Sequence, residues 1–456
     1  MRLEGRNAVV LGLGVTGLSA ARWLSAHGAR VRVADTRAEP PRARALRAEL
    51  PQVSLTTGPL TEATFAGADL VVTSPGLPKE LPPIRAVIDR GTEFVGDVEL
   101  FARAVPSAVK LLAVTGSNGK TTVTALTTEL LAAAGLEVRG VGNIGEPVLD
   151  ALSACERTRH WPDAFVIEAS SFQLETTSSL APVAATVLNV TENHLDRYAG
   201  MAEYAAAKAR IFANTGEQIL NRDDAASLAM RITGRIVQTF GSGVPQSEHD
   251  WGLVDRKGAT WLARGGALLV PAGELKLVGR HNALNALAAL ALASTLAKID
   301  RPVLQALVAF QGLPHRMERV GEISGVLFVN DSKGTTVAAT IAALDGIDRP
   351  AVLIAGGDGK GQDFTPLRAS IEAHCRAVVL IGRDAPLISA ALAGATPAIE
   401  SAPALEAAVA RAIARARPGD AVLLSPACAS LDMFRDYVER GDRFRAAVAA
   451  RARGEA

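Results

Sequence analysis

The segment Thr115 to Thr122 has the residue types of a phosphate-binding loop. It has the sequence TGSNGKTT and lies between an apolar run that predicts a strand and an Ala/Leu-rich run that predicts a helix. Its glycines let backbone N–H groups face phosphate oxygens, the Lys120 ammonium offsets their charge, and the Thr121 hydroxyl suits Mg²⁺. The loop lacks the first glycine of the longer GxxxxGK[ST] motif. Its strand–loop–helix setting nevertheless favours phosphate binding over an ordinary glycine turn.

Three further side chains in the same stretch could take part in this chemistry. Glu168 ends the predicted strand FVIE, at the edge of an α/β sheet where ligands usually bind. His194 stands in the run NHLD (193–196) after another predicted strand, and Lys208 lies on the helical segment EYAAAKARIF. Taken singly, each also has a plain structural interpretation. These are a solvated acid at a strand end, a structural histidine and a surface lysine.

A second glycine-rich turn follows the first predicted strand. The run GLGVTG (12–17) opens a predicted helix, and Asp35 ends the next strand 18 residues further on. This is the spacing of a dinucleotide fingerprint, although a helix N-terminus would bind any diphosphate. Thr36 and Arg37 add a hydroxyl and a cation, and the Ser74–Gly76 turn ends the following strand on the same edge. The turn therefore predicts a nucleotide-diphosphate site, with the nucleotide left open.

The rest of the chain provides the elements that position these residues. Short β-branched runs alternate with Ala/Leu-rich helical stretches, the pattern of βαβ units and parallel sheets. We predict an α/β protein of three domains, each a mostly parallel sheet with flanking helices. The N-terminal domain (1–98) is predicted to be Rossmann-like, the central domain (99–312) P-loop ATPase-like, and the C-terminal domain (313–456) Rossmann-like. A long helix from Asn282 closes the second domain, and a Gly-Leu-Pro break at Gly312 opens the third.

Composition excludes several other classes of protein. Of the 456 residues, 48% are hydrophobic, and 48 basic side chains against 47 acidic ones give a net charge of +1, which argues against a nucleic-acid partner. The longest apolar stretch, Ala283 to Ala297, is too short to span a membrane, and the first residues lack the pattern of a signal peptide. Three widely spaced cysteines predict reduced thiols. We expect a cytoplasmic monomer that acts on small molecules and does not bind membranes.

Motifs in order along the whole chain resemble those of the Mur ligase family. They are GSNGKTT, EAS, NHLDRY followed by AAK, HNALNALAAL, LPHR, NDSKGTT, GGDGK and SPACAS. The resemblance implies an ATP-dependent amide ligase of peptidoglycan precursor synthesis. Such an enzyme would add D-glutamate to UDP-N-acetylmuramoyl-L-alanine through an acyl phosphate, giving ADP and phosphate. It also implies ATP and two Mg²⁺ ions as cofactors, with ATP between the second and third domains.

The resemblance assigns roles to individual residues of this sequence. The UDP substrate would meet Thr16, Asp35, Thr36, Arg37, Ser74, Pro75, Gly76 and Asn143. ATP would meet Gly116, Ser117, Asn118, Gly119, Lys120, Thr121, Thr122, Asn282, Asn285, Arg316, Asp331 and Lys333. One Mg²⁺ would be held by Thr121 and Glu168, and the other by His194 with a carbamylated Lys208; Lys120, Glu168, His194 and Lys208 would be the catalytic set. The incoming amino acid would meet Thr335, Lys360, Ser430 and Tyr437.

Two departures and several alternatives accompany this interpretation. Tyr437 stands where the family pattern has Phe, and Thr121 replaces the Ser of some relatives while keeping the hydroxyl. A Rossmann oxidoreductase would explain only the first domain, and a folylpolyglutamate synthase would not be expected to carry that domain. Sibling ligases share the central domain, but the third domain has no DNPR-type signature for a diamino acid. A non-catalytic binding protein would have no use for the catalytic set. The sequence alone does not distinguish D- from L-glutamate.

Overall fold

The computed structural model describes residues 2–143, 145–192, 197–214, 216–277 and 279–454. His194 and its neighbours Asn193, Leu195 and Asp196 lie outside these ranges, so the role expected of His194 stays a prediction. The described chain forms two compact units. The first comprises 1–252 with 264–266 and 288–303, and the second comprises 253–263, 267–287 and 304–456.

The first sheet lies in the first unit and consists of five parallel strands. Its elements are β1 (Asn7–Leu11), α1 (Val15–Ala26), β2 (Arg30–Asp35), α2 (Ala43–Glu49), β3 (Ser54–Thr57), β4 (Leu70–Thr73), α3 (Pro82–Asp89) and β5 (Glu93–Val95). The strand order is β3-β2-β1-β4-β5, and Ala8 of β1 pairs with both Val31 and Leu70. The carboxyl ends of β1, β2 and β4 therefore bring the glycine turn, Asp35 and Ser74 to one edge.

The central sheet is also parallel in the first unit, and β6 lies between β9 and β8. Its elements are α4 (Asp97–Ala104), β6 (Lys110–Thr115), α5 (Lys120–Ala133), β7 (Val138–Gly142), α6 (Val148–Thr158), β8 (Ala164–Glu168), α7 (Ser171–Glu175), β9 (Ala184–Val187), α8 (Met201–Ala209), β10 (Glu217–Asn221), α9 (Ala225–Ala229), β11 (Ile236–Phe240) and β12 (Asp250–Arg256). Seven of its nine strands have the order β12-β11-β10-β9-β6-β8-β7. Apolar side chains bury β6 and β8 on both faces, as parallel sheets require.

The remaining elements include the whole of the third sheet, which lies in the second unit. They are β13 (Ala259–Arg264), β14 (Ala267–Pro271), α10 (Arg280–Ala293), α11 (Arg301–Ala309), β15 (Glu318–Ile323), β16 (Val326–Asn330), α12 (Val337–Gly346), β17 (Ala351–Gly356), α13 (Leu367–His374), β18 (Cys375–Ile381), α14 (Ala385–Ala391), β19 (Ala398–Ser401), α15 (Leu405–Arg415), β20 (Ala421–Leu424) and α16 (Tyr437–Ala452). The sheet order is β15-β16-β20-β17-β18-β19. Only β15 pairs antiparallel within it.

The predicted α/β class with three mostly parallel sheets is confirmed. Every run predicted as a strand is found as one, whereas β3, β5, β7, β10 to β15 and β19 were not predicted. The helix expected from Asn282 begins at Arg280 and ends at Ala293. Each sheet lies inside one of the predicted domains, and the exact boundaries at 98 and 312 stay a prediction. Within the described ranges, no helix combines the length and hydropathy needed to cross a membrane.

Candidate active site

The loop between β6 and α5 has the backbone shape of a phosphate cradle. Gly119 caps α5 with a positive φ of 82°, and Gly116 has a φ of 155°, where glycine is favoured. No side chain caps this helix, so its first-turn N–H groups are directed to the loop. Lys120 Nζ donates to the carbonyl oxygens of Gly116 and Ser117 at 2.9 and 3.0 Å. The loop can thus present several donors and one ammonium to an anion.

The same loop is held in place by the segment that follows β9. The Asn118 N–H donates to Asn189 Oδ1 at 2.8 Å, and the Ser117 N–H donates to the Asn189 carbonyl at 2.9 Å. Ser117 Oγ accepts from the Thr191 N–H at 3.0 Å and donates to the Thr191 carbonyl at 3.1 Å. Both donors of Ser117 are therefore engaged inside the protein. Ser117 therefore holds the loop in shape. The sequence predicted only that it would contact ATP.

Glu168 is a buried carboxylate at the end of β8, with 1% of its surface exposed. The strand register pairs it with Val114, two residues before the loop begins. Its Oε1 accepts from Asn143 Nδ2 at 2.9 Å, and its carbonyl accepts from the Asn143 N–H at 2.8 Å. Gly142, at φ 121°, permits this approach, because a Cβ there would overlap the Glu168 carbonyl. The interpretation of Glu168 as a solvated acid is wrong.

Lys208 is buried on α8, with 1% of its surface exposed, so the surface-lysine interpretation is also wrong. Its Nζ donates to the Gly116 carbonyl at 2.9 Å, the same oxygen that accepts from Lys120. It also lies 4.4 Å from the centre of the Tyr204 ring. Burial, and then the charge of Lys120, lower the pKa of Lys208 to about 6. Near neutral pH this lysine is therefore largely an uncharged amine.

The donors around the loop fit a hard cation. Among the described residues, Glu168 Oε2 is buried and has no hydrogen-bond partner, which leaves one carboxylate oxygen for a metal. The hydroxyl of Thr121, on the first turn of α5, is an oxygen donor of the same kind. Across the described ranges, no three His, Cys, Asp or Glu side chains are grouped to hold a metal. A site here would therefore need Thr121 and a modified Lys208 in addition to the carboxylate.

The N-terminal glycine turn is organised by Asp35. This side chain is 2% exposed and accepts from the Leu13 N–H at 2.6 Å, from the Arg37 N–H at 2.9 Å, and from the Arg37 guanidinium at 2.6 and 2.9 Å. These bonds, of which that from the Arg37 side chain has the largest effect, lower the pKa of Asp35 to about 2. Asp35 thus fixes the turn and orients Arg37, whereas Thr36 and Arg37 are exposed. Thr16 lies half-buried on the first turn of α1.

The Ser74–Gly76 turn lies directly against the glycine turn. Ser74 Oγ donates to the Gly12 carbonyl at 3.1 Å, and a Cβ at Gly12 would meet Ser74 Oγ at 2.9 Å. Arg197 holds the other side: its guanidinium donates to the Leu77 and Pro75 carbonyls at 3.2 and 3.5 Å and to Glu175 at 3.3 Å. Sequence reasoning missed Arg197, although it lies in the motif NHLDRY. Asn143, predicted to contact the same substrate, is distant in sequence from this turn and is bonded to Glu168.

The second unit contains the other predicted nucleotide contacts. Asn282 and Asn285 are adjacent on α10, joined by a side-chain hydrogen bond of 2.9 Å. Asp331 is buried; its oxygens accept from Ser425 Oγ at 2.8 Å and from the Met317 N–H at 3.2 Å. Burial raises the pKa of Asp331 to about 7. Arg316 is half-buried, as is Lys333, whose Nζ lies 4.1 Å from the centre of the Tyr437 ring.

The predicted amino-acid contacts share one edge of the third sheet. Thr335, Lys360 and Ser430 follow β16, β17 and β20, three neighbouring strands. Lys360 is exposed at φ 52°, and Ser430 is 3% exposed. Tyr437 begins α16, and its carbonyl accepts from Ser332 Oγ at 2.7 Å. This contact is made by the backbone carbonyl, which Tyr and Phe share. Tyr in place of the family's Phe therefore does not remove it.

Comparison with protein families places each sheet in a known domain type. Residues 6–96 match the model of the Mur ligase MurD-like N-terminal domain, residues 114–293 the Mur ligase middle domain, and residues 315–428 the Mur ligase glutamate ligase domain. The chain belongs to the Mur ligase family. The resemblance inferred from its motifs is thereby confirmed.

Named relatives match the chain over nearly its full length. The UDP-N-acetylmuramoylalanine–D-glutamate ligase of Nitrosospira multiformis is 54% identical over 464 residues, covering 100% of this chain and 98% of that protein. The ligase of the same name from Methylobacillus flagellatus is 53% identical, with 98% of each chain covered. This Mur ligase is thus similar over its full length to proteins that carry the name of this activity.

Solved structures show the same fold at much lower identity. The UDP-N-acetylmuramate–alanine ligase of Thermotoga maritima has a TM-score of 0.59 at 19% identity, covering 98% of this chain and 99% of that one. A pseudomurein peptide ligase type C from Methanothermus fervidus has a TM-score of 0.55 at 19% identity, with 92% and 96% covered. At this identity the likeness supports the fold of this Mur ligase and not its substrate.

Proposed function

We propose that this chain is an ATP-dependent ligase that joins D-glutamate to UDP-N-acetylmuramoyl-L-alanine and releases ADP and phosphate. The observation that carries the proposal is the pair of buried ionisable residues at the phosphate loop. Glu168 lies one strand away from the loop, and Lys208 bonds to the loop carbonyl that Lys120 also uses. A loop built only for packing would have no need of these groups, whose burial is costly. The full-length similarity to ligases of that name supports the same assignment.

The reaction would proceed in two steps on the substrates themselves. An oxygen of the alanyl carboxylate attacks the γ-phosphorus of ATP, and the bond from that phosphorus to ADP breaks, giving an acyl phosphate. The amine of glutamate then attacks the acyl carbon, the bond to phosphate breaks, and the amine loses a proton as the amide forms. Lys120 and the N–H groups at the start of α5 offset the charge on the transferring phosphoryl group. No Ser or Cys nucleophile is required.

The residues around Glu168 would hold Mg²⁺. Glu168 and Thr121 would bind one ion, and His194 with a carbamylated Lys208 would bind the other. When bound, Mg²⁺ neutralises negative charge that would otherwise keep the carboxylate and the phosphate apart. The uncharged Lys208 amine can add CO₂ and lose a proton, which gives a carbamate anion. That modification replaces a repelled cation by an oxygen ligand suited to a hard metal.

The two sheet edges with polar turns would bind the other substrates. The N-terminal turn and Arg37 would take the UDP diphosphate, with Asn143 contacting the same substrate near Glu168. The edge carrying Thr335, Lys360 and Ser430 would take glutamate, because a lysine and two hydroxyls suit its second carboxylate. Asn282, Asn285, Arg316, Asp331 and Lys333 would complete the ATP contacts. Free cysteines at 155, 375 and 428 fit the proposed cytoplasmic location, and we propose a monomer.

Omission of each substrate in turn tests this function. ADP and phosphate should form with ATP, Mg²⁺, UDP-N-acetylmuramoyl-L-alanine and D-glutamate together, in a 1:1 ratio with the amide product seen by mass spectrometry. Titration with NADH, followed by its fluorescence, serves as the test of the oxidoreductase alternative. ADP formation that does not require the sugar nucleotide would contradict the proposal, as would tight NADH binding.

Replacing Arg37 with alanine is expected to raise the KM for the sugar nucleotide by about 10-fold, because a charged hydrogen bond to a phosphate is lost. The KM for ATP should change little, since Lys120 and its loop remain intact. Arg32→Ala is a suitable control, because Arg32 lies on β2 just before Arg37 and its guanidinium contacts the Ala66 carbonyl instead. Steady-state kinetics with each substrate varied in turn checks this. Equal rises in both KM values would argue against a UDP site at the glycine turn.

A further inference from the structure

Arg440 is a completely buried cation in the second unit. It lies on α16, with 0% of its surface exposed. Its Nε donates to Ser332 Oγ at 3.0 Å, its Nη2 to the Ser332 carbonyl at 2.8 Å, and its Nη1 to the Cys428 carbonyl at 3.1 Å. The guanidinium therefore bonds to two separate loops at once.

These two loops carry the residues assigned to glutamate. The first follows β16 and leads from Ser332 to Thr335, and the second follows β20 and leads from Cys428 to Ser430. Because β16 and β20 are neighbouring strands, the loops leave the sheet side by side. Arg440 joins them from below the surface, and the Ala427 N–H donates to the Gly334 carbonyl at 2.9 Å as a direct backbone link beside it. The three hydrogen bonds of Arg440 thus add a side-chain link at Ser332 and Cys428, close in sequence to Thr335 and Ser430.

Burying this charge is costly, and the structure does not offset it with an ion pair. Within the described residues, no carboxylate oxygen lies within 4.0 Å of the Arg440 guanidinium, and the acceptors are carbonyls and a hydroxyl. Burial lowers the pKa of Arg440 to about 10, which still leaves it charged. An apolar side chain would fill the same space without that cost. An apolar residue could not, however, supply the hydrogen-bond donors of the planar guanidinium, which reach both loops.

The neighbouring Gly441 brings α16 close enough for Arg440 to reach both loops. A Cβ at Gly441 would overlap His315 Nδ1, and the Gly441 carbonyl accepts from Asn330 Nδ2 at 3.2 Å. Glycine inside a helix is unfavourable, so its presence in the run YVERGDRF indicates a packing requirement. The Tyr437 carbonyl adds a third attachment by accepting from Ser332 Oγ.

We propose that Arg440 is a positioning residue that sets the glutamate-binding geometry by fixing the loops of Thr335 and Ser430 relative to each other. The proposal rests on the assignment of this edge to glutamate. The ATP-assigned residues here have bonds that do not involve Arg440: Asp331 accepts from Ser425 Oγ and from the Met317 N–H, and the Lys333 N–H donates to the His315 carbonyl at 3.0 Å. Loss of Arg440 should therefore affect glutamate more than ATP.

Replacement of Arg440 by methionine and by lysine tests this role. Arg440→Met should raise the KM for D-glutamate by about 10- to 100-fold, because donors shared by the two loops are lost. The KM values for ATP and for the sugar nucleotide should change by less than about threefold. Arg440→Lys keeps one donor and should have an intermediate effect. Arg443→Met is the matched control, since Arg443 lies on the same helix, is 43% exposed and pairs only with Glu406 among the described carboxylates.

Chemical rescue separates positioning from a loss of folding. In Arg440→Ala, methylguanidinium at non-denaturing concentration should lower the KM for D-glutamate, whereas methylammonium at the same concentration should do so less. A melting temperature measured for every variant identifies any that are unfolded. A wild-type protein without ligase activity would refute the proposed function itself. An active wild type whose Arg440→Met or Arg440→Lys variant keeps its KM for D-glutamate, or raises all three KM values equally, would overturn the positioning role.

Discussion

Replacing Lys208 with alanine is expected to lower kcat by at least about 1,000-fold, because the variant loses the group proposed to become an anionic metal ligand. The wild-type amine is buried beside the phosphate loop and largely uncharged, which are the conditions for adding CO₂. Acetate or formate should restore part of the activity by occupying the vacated anionic position. Lys298→Ala, at an exposed lysine of the same unit, is the control and should behave as wild type.

Stability measurements distinguish lost chemistry from lost folding in this case. The pKa of Lys208 falls from 10.5 in the unfolded chain to about 6 in the folded protein, so the folded state binds one proton fewer between these values. Wild-type stability should therefore rise by about 1.4 kcal/mol per pH unit across that window, and Lys208→Met should lack this contribution. Lys208→Met should be the more stable protein at pH 7, by a margin that shrinks toward pH 9. Chemical denaturation in CO₂-free buffer without nucleotide measures this difference.

Two results would contradict this account of Lys208. Near-normal turnover of Lys208→Ala would show that the buried amine has no part in the reaction. A Lys208→Met variant much less stable than wild type at pH 7 would show that the ammonium form is favoured in the folded protein.

Replacing Glu168 with glutamine is expected to lower kcat by about 100- to 1,000-fold at a fixed Mg²⁺ concentration. The substitution keeps the shape of the side chain and the hydrogen bond from Asn143, but it removes the negative charge. It also replaces the buried Oε2, which has no partner among the described residues, by an NH2 group that cannot bind a metal. The Mg²⁺ concentration giving half-maximal activity should rise, and titration of activity with MgCl₂ measures it.

Asn143→Ala and Glu137→Gln are the controls for this prediction. Asn143→Ala keeps the Glu168 carboxylate and removes only the hydrogen bond that orients it, so kcat should fall less, by about 10-fold. Glu137 is 52% exposed and pairs with His160, so its replacement should leave activity unchanged. A Glu168→Gln enzyme with a normal Mg²⁺ dependence would show that Glu168 does not bind the metal.

Local patterns in the sequence were sufficient to predict the fold class and the loops that carry the candidate sites. Buried parallel strands such as β6 and β8 are continuous apolar runs, and each is followed by polar or glycine residues at one sheet edge. The strands that were missed, such as β3 and β14, are short and partly exposed, so their residues alternate or mix in character. Their pairing depends on neighbours distant in sequence, which no local pattern records.

Side-chain burial and partner choice could not be predicted from the same patterns. Lys208 lies in an alanine-rich helix, and only the packing of α8 against the loop shows that its amine is buried. Arg197 and Arg440 each bond to carbonyl oxygens that lie 108 to 122 residues away in the chain, and a carbonyl has no sequence signature. For Asp35, the spacing predicted its location, but only the structure shows that its oxygens already bind Leu13 and Arg37.

Phosphate release with ATP, Mg²⁺ and UDP-N-acetylmuramoyl-L-alanine, measured against a panel of amino acids, tests the central claim most directly. The panel should include D-glutamate, L-glutamate, L-alanine, L-lysine and meso-diaminopimelate at equal concentrations. Phosphate should be released rapidly with D-glutamate and at background rates with the others, with one amide formed for each phosphate. Turnover with L-glutamate or a diamino acid, and none with D-glutamate, would contradict the assignment.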